Sequence, residues 1–172
     1  MNKNDLLETT NGRRQKFIDL MSDFGMKRVF GSEENKDALI CLLNTIIKDV
    51  NIKEVTHLRN EQTPITIELK KTIFDLYCKT DQGEKIVIEV QRVSQPTFID
   101  RALYYSTYPI IDQIKLGGKD YDLKRVYMIC LLNFDLPGVP KSDTLYHRYH
   151  LKNDNNEVMP GDKLNIIYLN DS

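Results

Sequence analysis

Two carboxylates that interrupt apolar, β-rich runs are the residues of this sequence best suited to do chemistry. Asp75 lies within the run Phe-Asp-Leu and Glu89 lies within the run Ile-Glu-Val, with Gln91 two residues further on. Acidic residues are depleted in strands and are almost never buried without a partner. Two of them in neighbouring apolar strands therefore indicate a nearby group of opposite charge.

The turn between the two runs predicts how they pair. Residues 81–83, Asp-Gln-Gly, are typical of a three-residue hairpin loop whose glycine takes the left-handed conformation. In this register Thr80 pairs with Glu84, and Asp75 falls opposite Glu89. A loop one residue longer or shorter would place the two carboxylates on opposite faces of the hairpin.

The same register places three polar side chains on one face. Glu89 and Gln91 share a face because they are two residues apart in a strand, and Asp75 joins them because directly opposed residues point to the same side. The Cβ atoms of the two acids would lie about 5 Å apart, where like charges destabilise a sheet. A hard divalent cation with oxygen ligands, Mg²⁺ with Mn²⁺ as a substitute, is the natural group to offset that charge.

The composition fits a single domain. The chain has 172 residues, enough for a sizeable core, which we place at residues 17–172 after a polar tail at residues 1–16. Its formal net charge of −1 excludes a histone-like polyanion binder, but not an enzyme that meets nucleic acid through a local site. The polar start lacks the apolar segment of a signal peptide, and no run approaches a membrane span. We therefore expect a cytoplasmic protein without a membrane partner.

The three cysteines are consistent with that compartment. Cys41, Cys78 and Cys130 each lie in an apolar run, and no pair has the Cys-x-x-Cys spacing of a zinc or redox site. Buried cysteines of this kind are typical of proteins in a reducing cytosol. We therefore predict that all three belong to the core.

Hydrophobic periodicity predicts alternating helices and strands around the hairpin. A strand, a crossover helix and a second strand make a βαβ unit, so the apolar strand over 125–134 is expected to run parallel to the strand of Glu89. Ser32 is expected to cap the second helix, and Pro109 to bend the third. The expected elements are a helix over 17–30, a helix from Ser32, a strand over 52–59, the hairpin over 72–92, a helix over 96–116, a strand over 125–134 and a hairpin of 144–151 with 164–169.

Several short motifs occur in a fixed order along this pattern. They are Phe30-Gly31-Ser32-Glu33-Glu34-Asn35-Lys36, Phe74-Asp75-Leu76, Val87-Ile88-Glu89-Val90-Gln91, Phe98 with Arg101, Tyr104-Tyr105, and Gly118 through Tyr121. From about Asp19 to its end, the chain resembles the PD-(D/E)XK nuclease superfamily, and more narrowly its transposase-like branch, the recombination-promoting nucleases. The resemblance implies an α/β fold with a restriction-endonuclease-like core of helix, three strands, helix and strand. The mixed central sheet would be flanked by helices and extended by an additional C-terminal hairpin.

The resemblance also implies a metal-dependent DNA endonuclease, linked to DNA recombination or mobile elements. By position, Asp75 and Glu89 would bind Mg²⁺ with the help of the Val90 carbonyl. The metal would activate a water and neutralise charge on the scissile phosphate. Glu34 is a candidate third carboxylate at the edge of this site, although its place in a first helical turn is better explained by the helix dipole.

Gln91 departs from the superfamily, which has a lysine at this place. A lysine supplies positive charge at the attacking water or the phosphate, whereas glutamine only orients them by hydrogen bonds. Glutamine is usual in this branch, and it leaves the general base unassigned. Arg101 is expected to supply the missing charge at the phosphate, with Tyr105 one helical turn further on in support, because a cation on an apolar and aromatic face needs an anion nearby.

Two other interpretations stay open at this stage. Relatives in this branch usually continue into a further helical C-terminal region, so this chain is expected to be a short form. Its length and the missing lysine favour a nuclease-fold domain that binds DNA or a partner without cutting. Alternatively, the two carboxylates are structural, each paired with a basic side chain such as Arg92 or Lys70. A monomer and a homodimer are both compatible with the sequence.

Overall fold

The computed structural model of the chain describes residues 18–62, 72–114, 121–139 and 144–170. The predicted polar tail over residues 1–16 lies outside these described residues, as do Gly117 and Gly118. Within the described residues, helices and strands alternate in the order that the sequence predicts. The helix predicted over 96–116 is shorter than expected, because it begins at Phe98 and already ends at Ile111.

A six-stranded mixed sheet forms the centre of the fold. The strands, in chain order, are β1 (Val55–His57), β2 (Glu61–Gln62), β3 (Thr72–Ile73), β4 (Leu76–Thr80), β5 (Lys85–Gln91), β6 (Val126–Leu132), β7 (Tyr146–His150) and β8 (Leu164–Asn170). Strands β2 and β3 pair with each other, and the other six form one sheet in the spatial order β1-β4-β5-β6-β8-β7. The β5–β6 and β6–β8 pairs are parallel and the remaining pairs are antiparallel. The predicted α/β class, the parallel βαβ unit and the C-terminal hairpin are confirmed.

The central hairpin has the register that its loop predicts. The Thr80 N–H donates to the Glu84 carbonyl at 3.0 Å, and Gly83 has a φ of +92°, which glycine adopts at little cost. The paired residues are Leu76 with Ile88, Tyr77 with Val87, Cys78 with Ile86, and Lys79 with Lys85.

Helices cover both faces of the sheet. Helices α1 (Asp23–Phe30) and α2 (Lys36–Ile46), joined by a 3-10 turn, pack on one face, and α3 (Phe98–Ile111) packs on the other. Alternate residues of β5 divide between the two apolar layers, as a strand covered on both sides requires. Ile86 and Ile88 face α1 and α2, whereas Val87 faces α3. None of the described helices has the length and apolar character needed to cross a membrane.

The first two helices start differently from the prediction. Helix α1 begins at Asp23 instead of residue 17, because the Ser22 hydroxyl accepts the Gly25 N–H at 2.9 Å and caps the helix there. Gly25 is required at this point, since a Cβ atom would lie 1.8 Å from the Asp19 carbonyl oxygen. Ser32 occupies the backbone position of a cap for the 3-10 turn, but its buried hydroxyl makes no hydrogen bond in the described chain, so the predicted side-chain cap is wrong.

Two further predictions need correction. The strand expected over 52–59 is limited to β1, because both main-chain groups of Ile52 hydrogen-bond to the Asn44 side chain, at 2.8 and 2.9 Å, instead of to a strand. Cys41 is exposed, while Cys78 and Cys130 are buried as predicted. The buried positions of α2 are Leu39, Leu43 and Ile46, and Cys41 lies between them on the outer face of the helix.

Candidate active site

Asp75 lies at a break between β3 and β4 instead of inside a regular strand. Phe74 and Tyr77 both belong to the apolar layer under α3, whereas Leu76 belongs to the layer under α1 and α2. In a regular strand Phe74 and Leu76 would share a face. The register of the hairpin is therefore as predicted, but the direction of the Asp75 side chain is set by this irregularity.

The Asn60 residue holds the break in place. Its carbonyl oxygen accepts the Phe74 N–H at 3.0 Å, and its side-chain carbonyl accepts the Tyr77 N–H at 3.0 Å. Its side-chain amide donates to the Asp75 carbonyl at 3.1 Å. Main-chain groups released by the irregularity are thus satisfied by one residue, as buried backbone polar groups require. A single asparagine after a strand carries no motif, so the sequence did not identify it.

Asp75 and Glu89 contact each other across the hairpin. The Asp75 N–H donates to Glu89 Oε1 at 3.3 Å, and Asp75 Oδ2 accepts the Val90 N–H at 2.7 Å. The Glu89 residue is only 7% exposed. The structure therefore brings together the three residues for which a role at a metal was predicted.

The electrostatics of this pair differ from those of ordinary surface acids. Burial raises the pKa of Asp75 to about 6. Burial, and then the nearby charge of Asp75, raise the pKa of Glu89 to about 8. Both shifts report that negative charge is poorly solvated and poorly neutralised here. Perturbed carboxyl groups of this kind cluster at functional sites.

Arg101 and Gln91 are joined on the side of the site covered by α3. The Arg101 guanidinium donates a short hydrogen bond to Gln91 Oε1 and a second one, of 3.1 Å, to Gln95 Oε1. The Gln91 side-chain amide donates to the Val93 carbonyl at 2.7 Å. The guanidinium carbon lies 5.9 Å from the centre of the Tyr105 ring, and the negative charge of Glu89 adds to the burial that raises the Tyr105 pKa. Gln91, Arg101 and Tyr105 are thus all neighbours of the carboxylates.

Helix α1 contributes two residues that the sequence did not identify, Asp23 and Lys27. The Lys27 ammonium lies 2.5 Å from Asp23 Oδ1 and 3.9 Å from Asp75 Oδ1. The negative charge of Asp23 adds to the burial that raises the pKa of Asp75. Burial opposes the shift, but hydrogen bonds with Lys27 and Asp75 hold the pKa of Asp23 below its ordinary value. The sequence signal that could have identified these two residues is their spacing, an acid and a lysine four residues apart just before the Phe30-Gly31 motif.

Glu34, the predicted third carboxylate, is exposed on the 3-10 turn. No hydrogen bond or ion pair joins it to Asp75 or Glu89 in the part of the chain that is described. Its neighbour Glu33 instead pairs with Lys36 and with His57 Nδ1, the latter at 3.3 Å. The third acid near the pair is therefore Asp23, whose charge acts on Asp75.

The donor set fits a hard divalent cation. Carboxylate oxygens of Asp75 and Glu89 and a main-chain carbonyl are ligands that Mg²⁺ and Mn²⁺ prefer, and Mg²⁺ keeps several waters when few protein groups bind it. Over the residues that the structure describes, no group of three or more His, Cys, Asp or Glu side chains is arranged to hold a metal. Main-chain oxygen and water would therefore have to complete the coordination.

The interpretation of the carboxylates as structural ion pairs finds little support. Arg92, one of the two suggested partners, pairs with Asp19 at 3.0 Å. Lys70, the other, lies outside the described residues. The Lys27 ammonium, at 3.9 Å, is the cation near Asp75, and it is shared with Asp23.

Comparison with known proteins gives one match. A family model described as "PD-(D/E)XK nuclease family transposase" matches residues 20–170. Neither the comparison with curated proteins nor the comparison with solved structures found a matching protein.

Proposed function

Because this chain belongs to the PD-(D/E)XK nuclease family transposases, we propose that it is a metal-dependent endonuclease that hydrolyses DNA phosphodiester bonds. The observation that carries the proposal is the contact of the Asp75 N–H with the buried Glu89 carboxyl group, which brings together two acids whose pKa values are raised to about 6 and about 8. The Asp75 side chain is itself only 15% exposed. A stable fold gains nothing from two adjacent acids in an apolar setting, since each would lose hydration without a full partner. A site that binds a cation and a phosphate explains their arrangement.

The two carboxylates and the Val90 carbonyl would hold Mg²⁺, with Mn²⁺ as a substitute. When bound there, the metal lowers the pKa of a bound water and offsets charge on the scissile phosphate. Asp75 is fixed for this task by the Val90 N–H, which donates to Oδ2, and by the Asn60 side chain, which fixes the backbone on either side.

Arg101 supplies positive charge on the α3 side of the site, a charge that Gln91 does not carry. Its guanidinium is fixed by Gln91 and Gln95, and its charge lowers the pKa of Glu89 against the larger effect of burial. In this arrangement Gln91 positions Arg101 instead of acting as an ammonium group, and Tyr105 confines the guanidinium from the side.

DNA is the proposed partner and substrate. A role in recombination or the movement of mobile elements is part of the proposal, and the word transposase in the family description supports it. A transposase-like nuclease must cut a DNA backbone, and such a cut needs stabilisation of charge at one phosphate rather than a strongly basic surface. The formal net charge of −1 is compatible with such a local mode of recognition.

A plasmid-nicking assay tests the proposal. The parent protein should nick supercoiled DNA in Mg²⁺ and in Mn²⁺ but not with a chelator, and Asp75→Ala should cut roughly 10³-fold more slowly because metal and phosphate stabilisation are both lost. Asp122→Ala is the matched control, since that acid is exposed and pairs only with the nearby Lys124 among described residues. An Asp75→Ala protein that nicks as fast as the parent would contradict the proposal.

A second candidate function is a nuclease-fold domain that binds DNA without cutting it. The observation that favours it is Gln91, which occupies the place of the superfamily lysine and whose side chain is already engaged by Arg101 and the Val93 carbonyl. Tight DNA binding with no cleavage in either Mg²⁺ or Mn²⁺ would establish this alternative, and metal-dependent nicking would exclude it.

A further inference from the structure

The side of the candidate site formed by α1 carries a lysine that none of the predicted roles uses. Lys27 approaches Asp75 Oδ1 to 3.9 Å and is oriented by Asp23, one turn earlier on the same helix, at 2.5 Å. Burial raises the pKa of both Asp75 and Glu89, and the positive charge of Lys27 partly offsets that rise for each of them. Lys27 therefore acts electrostatically on both carboxyl groups. Lys27 is thus an ammonium group beside the proposed metal ligands.

Lys27 and Arg101 differ in how free they are to meet a substrate. Arg101 donates to two glutamine side chains, and its guanidinium carbon lies 5.0 Å from the Phe98 ring centre and 5.9 Å from the Tyr105 ring centre. The Lys27 side chain is 37% exposed, and its ion-pair partners among the described residues are the two acids. A lysine ammonium is a mobile point charge on a flexible stem, well suited to follow a phosphate oxygen.

The position of α1 is fixed independently of Lys27. Ser22 caps the helix, Gly25 allows the close approach of the Asp19 carbonyl, and the Asp19 carboxylate pairs with Arg92 directly after β5. Arg92 follows Gln91, so the end of β5 and the start of α1 are tied together at the site. The backbone that carries Lys27 is therefore placed beside the carboxylates by these contacts, and not only by the ion pairs of the lysine itself.

We propose that Lys27 is the catalytic ammonium of this site, that it contacts a non-bridging oxygen of the scissile phosphate, and that Asp23 is the residue that positions it. The proposal rests on the nuclease function proposed above. Lys27 forms and breaks no covalent bond; it offsets negative charge as the phosphate reacts, which is the contribution that glutamine at position 91 does not make. Two cations then flank the carboxylates, Lys27 from α1 and Arg101 from α3.

Four variants test the assignment. Lys27→Met should lower the single-turnover cleavage rate roughly 10²-fold, the typical loss when one charge-stabilising donor is removed. Lys27→Arg should keep most of the rate because it retains the charge, and Asp23→Asn should fall between the two. Lys36→Met is the matched control. Lys36 also pairs with an acid one helical turn earlier, Glu33, but it does not contact Asp75 or Glu89.

Two measurements besides cleavage separate a phosphate contact from a structural role. In Ca²⁺, which takes oxygen ligands as Mg²⁺ does, the slope of log DNA affinity against log salt should fall by about 0.9 for Lys27→Met, the value for one lost phosphate contact. Lys36→Met should leave the slope unchanged. Mn²⁺ affinity, measured by the paramagnetic signal of the free ion, should stay equal or rise for Lys27→Met, because a competing positive charge has been removed.

The outcomes are distinguishable from failure of the nuclease proposal. If the parent cleaves and Lys27→Met cleaves within about threefold of it with an unchanged salt slope, Lys27 is only a counter-ion and the assignment is wrong. If Lys27→Met and Lys27→Arg both lose Mn²⁺ binding or thermal stability, the role is structural and the assignment is again wrong. If the parent binds DNA without cutting it, the nuclease proposal fails and the catalytic role falls with it, while the salt slope still decides whether Lys27 contacts phosphate.

Discussion

Two clusters of charged residues at opposite ends of the parallel strands show how differently this fold treats a carboxylate. At the start of β6, Asp49 accepts two hydrogen bonds from Arg148, at 2.8 and 3.0 Å, one from Arg125 at 3.1 Å and one from the Tyr127 hydroxyl at 3.2 Å. Near the end of β5, Asp75 and Glu89 contact each other, and the Lys27 ammonium is 3.9 Å from Asp75.

The pKa values follow this difference in pairing. Although burial opposes it, Arg148 holds the pKa of Asp49 below its ordinary value through hydrogen bonds and charge. At the other end, burial dominates and the pKa values of Asp75 and Glu89 rise to about 6 and about 8. The Asp49 cluster is complete, because two arginines and a tyrosine hydroxyl hydrogen-bond to its two carboxylate oxygens, and these bonds connect the segment after α2 to β6 and β7. The Asp75 and Glu89 cluster has excess acid, and this excess is what a cation and a phosphate-binding function would use.

The largest expected difference between the two clusters is in the pH dependence of stability. In metal-free protein, Glu89 keeps a proton up to a pKa of about 8, whereas the unfolded carboxyl ionises near 4, so its stabilising contribution is complete below about pH 4 and is lost as the pH rises through 8. Each unit of pKa difference is worth about 1.4 kcal/mol. Urea unfolding with a chelator at pH 5, 6.5 and 8 should therefore show stability falling with pH.

The matched variant is Glu89→Gln, which mimics the protonated side chain. Its stability should fall less with rising pH, and at pH 8 it should unfold at a higher urea concentration than the parent. Mg²⁺ should restore stability to the parent but not to the variant. Equal slopes for the parent and Glu89→Gln would show that Glu89 is ordinarily ionised in the metal-free fold, and the contrast between the two clusters would be lost.

Removing the negative charge of Asp49 should destabilise the protein, whereas removing that of Glu89 should stabilise it at pH 8. Asp49→Asn removes the closer ionic partner of Arg148, whose side chain is only 15% exposed, and leaves it Asp162 at 3.8 Å. We expect the free energy of unfolding to fall by about 2 kcal/mol, less than for a fully buried pair because Asp49 is one-third exposed. Cleavage per folded molecule should not change. Asp122→Asn, at an exposed ion pair, should show no measurable loss of stability, and a similar result for Asp49→Asn would mean that its cluster is only a surface feature.

A weaker effect is expected for Asn60, the residue that positions Asp75. Asn60→Ala removes two side-chain hydrogen bonds, to the Asp75 carbonyl and from the Tyr77 N–H, and should cost about 1–2 kcal/mol of stability. Asn44→Ala is matched, because it also removes two side-chain hydrogen bonds to the main chain, both at Ile52. We expect similar losses of stability from the two variants, but a loss of Mn²⁺ affinity and nicking only for Asn60→Ala. Equal Mn²⁺ affinities would show that the break at Asp75 is held without Asn60.

Local pattern was sufficient for much of the fold. The loop at residues 81–83 predicted the register of β4 and β5, and periodicity predicted the helix between β5 and β6. Element ends were less well predicted, because side chains decide them: Ser22 starts α1 late, and Asn44 takes the main-chain groups of Ile52 that a longer β1 would have used.

Sequence alone was enough to predict that Asp75 and Glu89 would lie opposite each other across a hairpin, because strand alternation and loop length are local properties of a few consecutive residues. The surroundings of the two acids depend instead on how distant elements pack. Lys27 and Asp75 are far apart in the chain, as are Asn60 and Tyr77 on either side of the break, and contacts of that range depend on how α1 and the strands pack. The same holds for Asp49 and Arg148. An acid with close cationic partners, such as Asp49, and an acid with one at 3.9 Å, such as Asp75, look alike in a sequence, and the packing of distant elements makes one a structural link and the other part of a candidate active site.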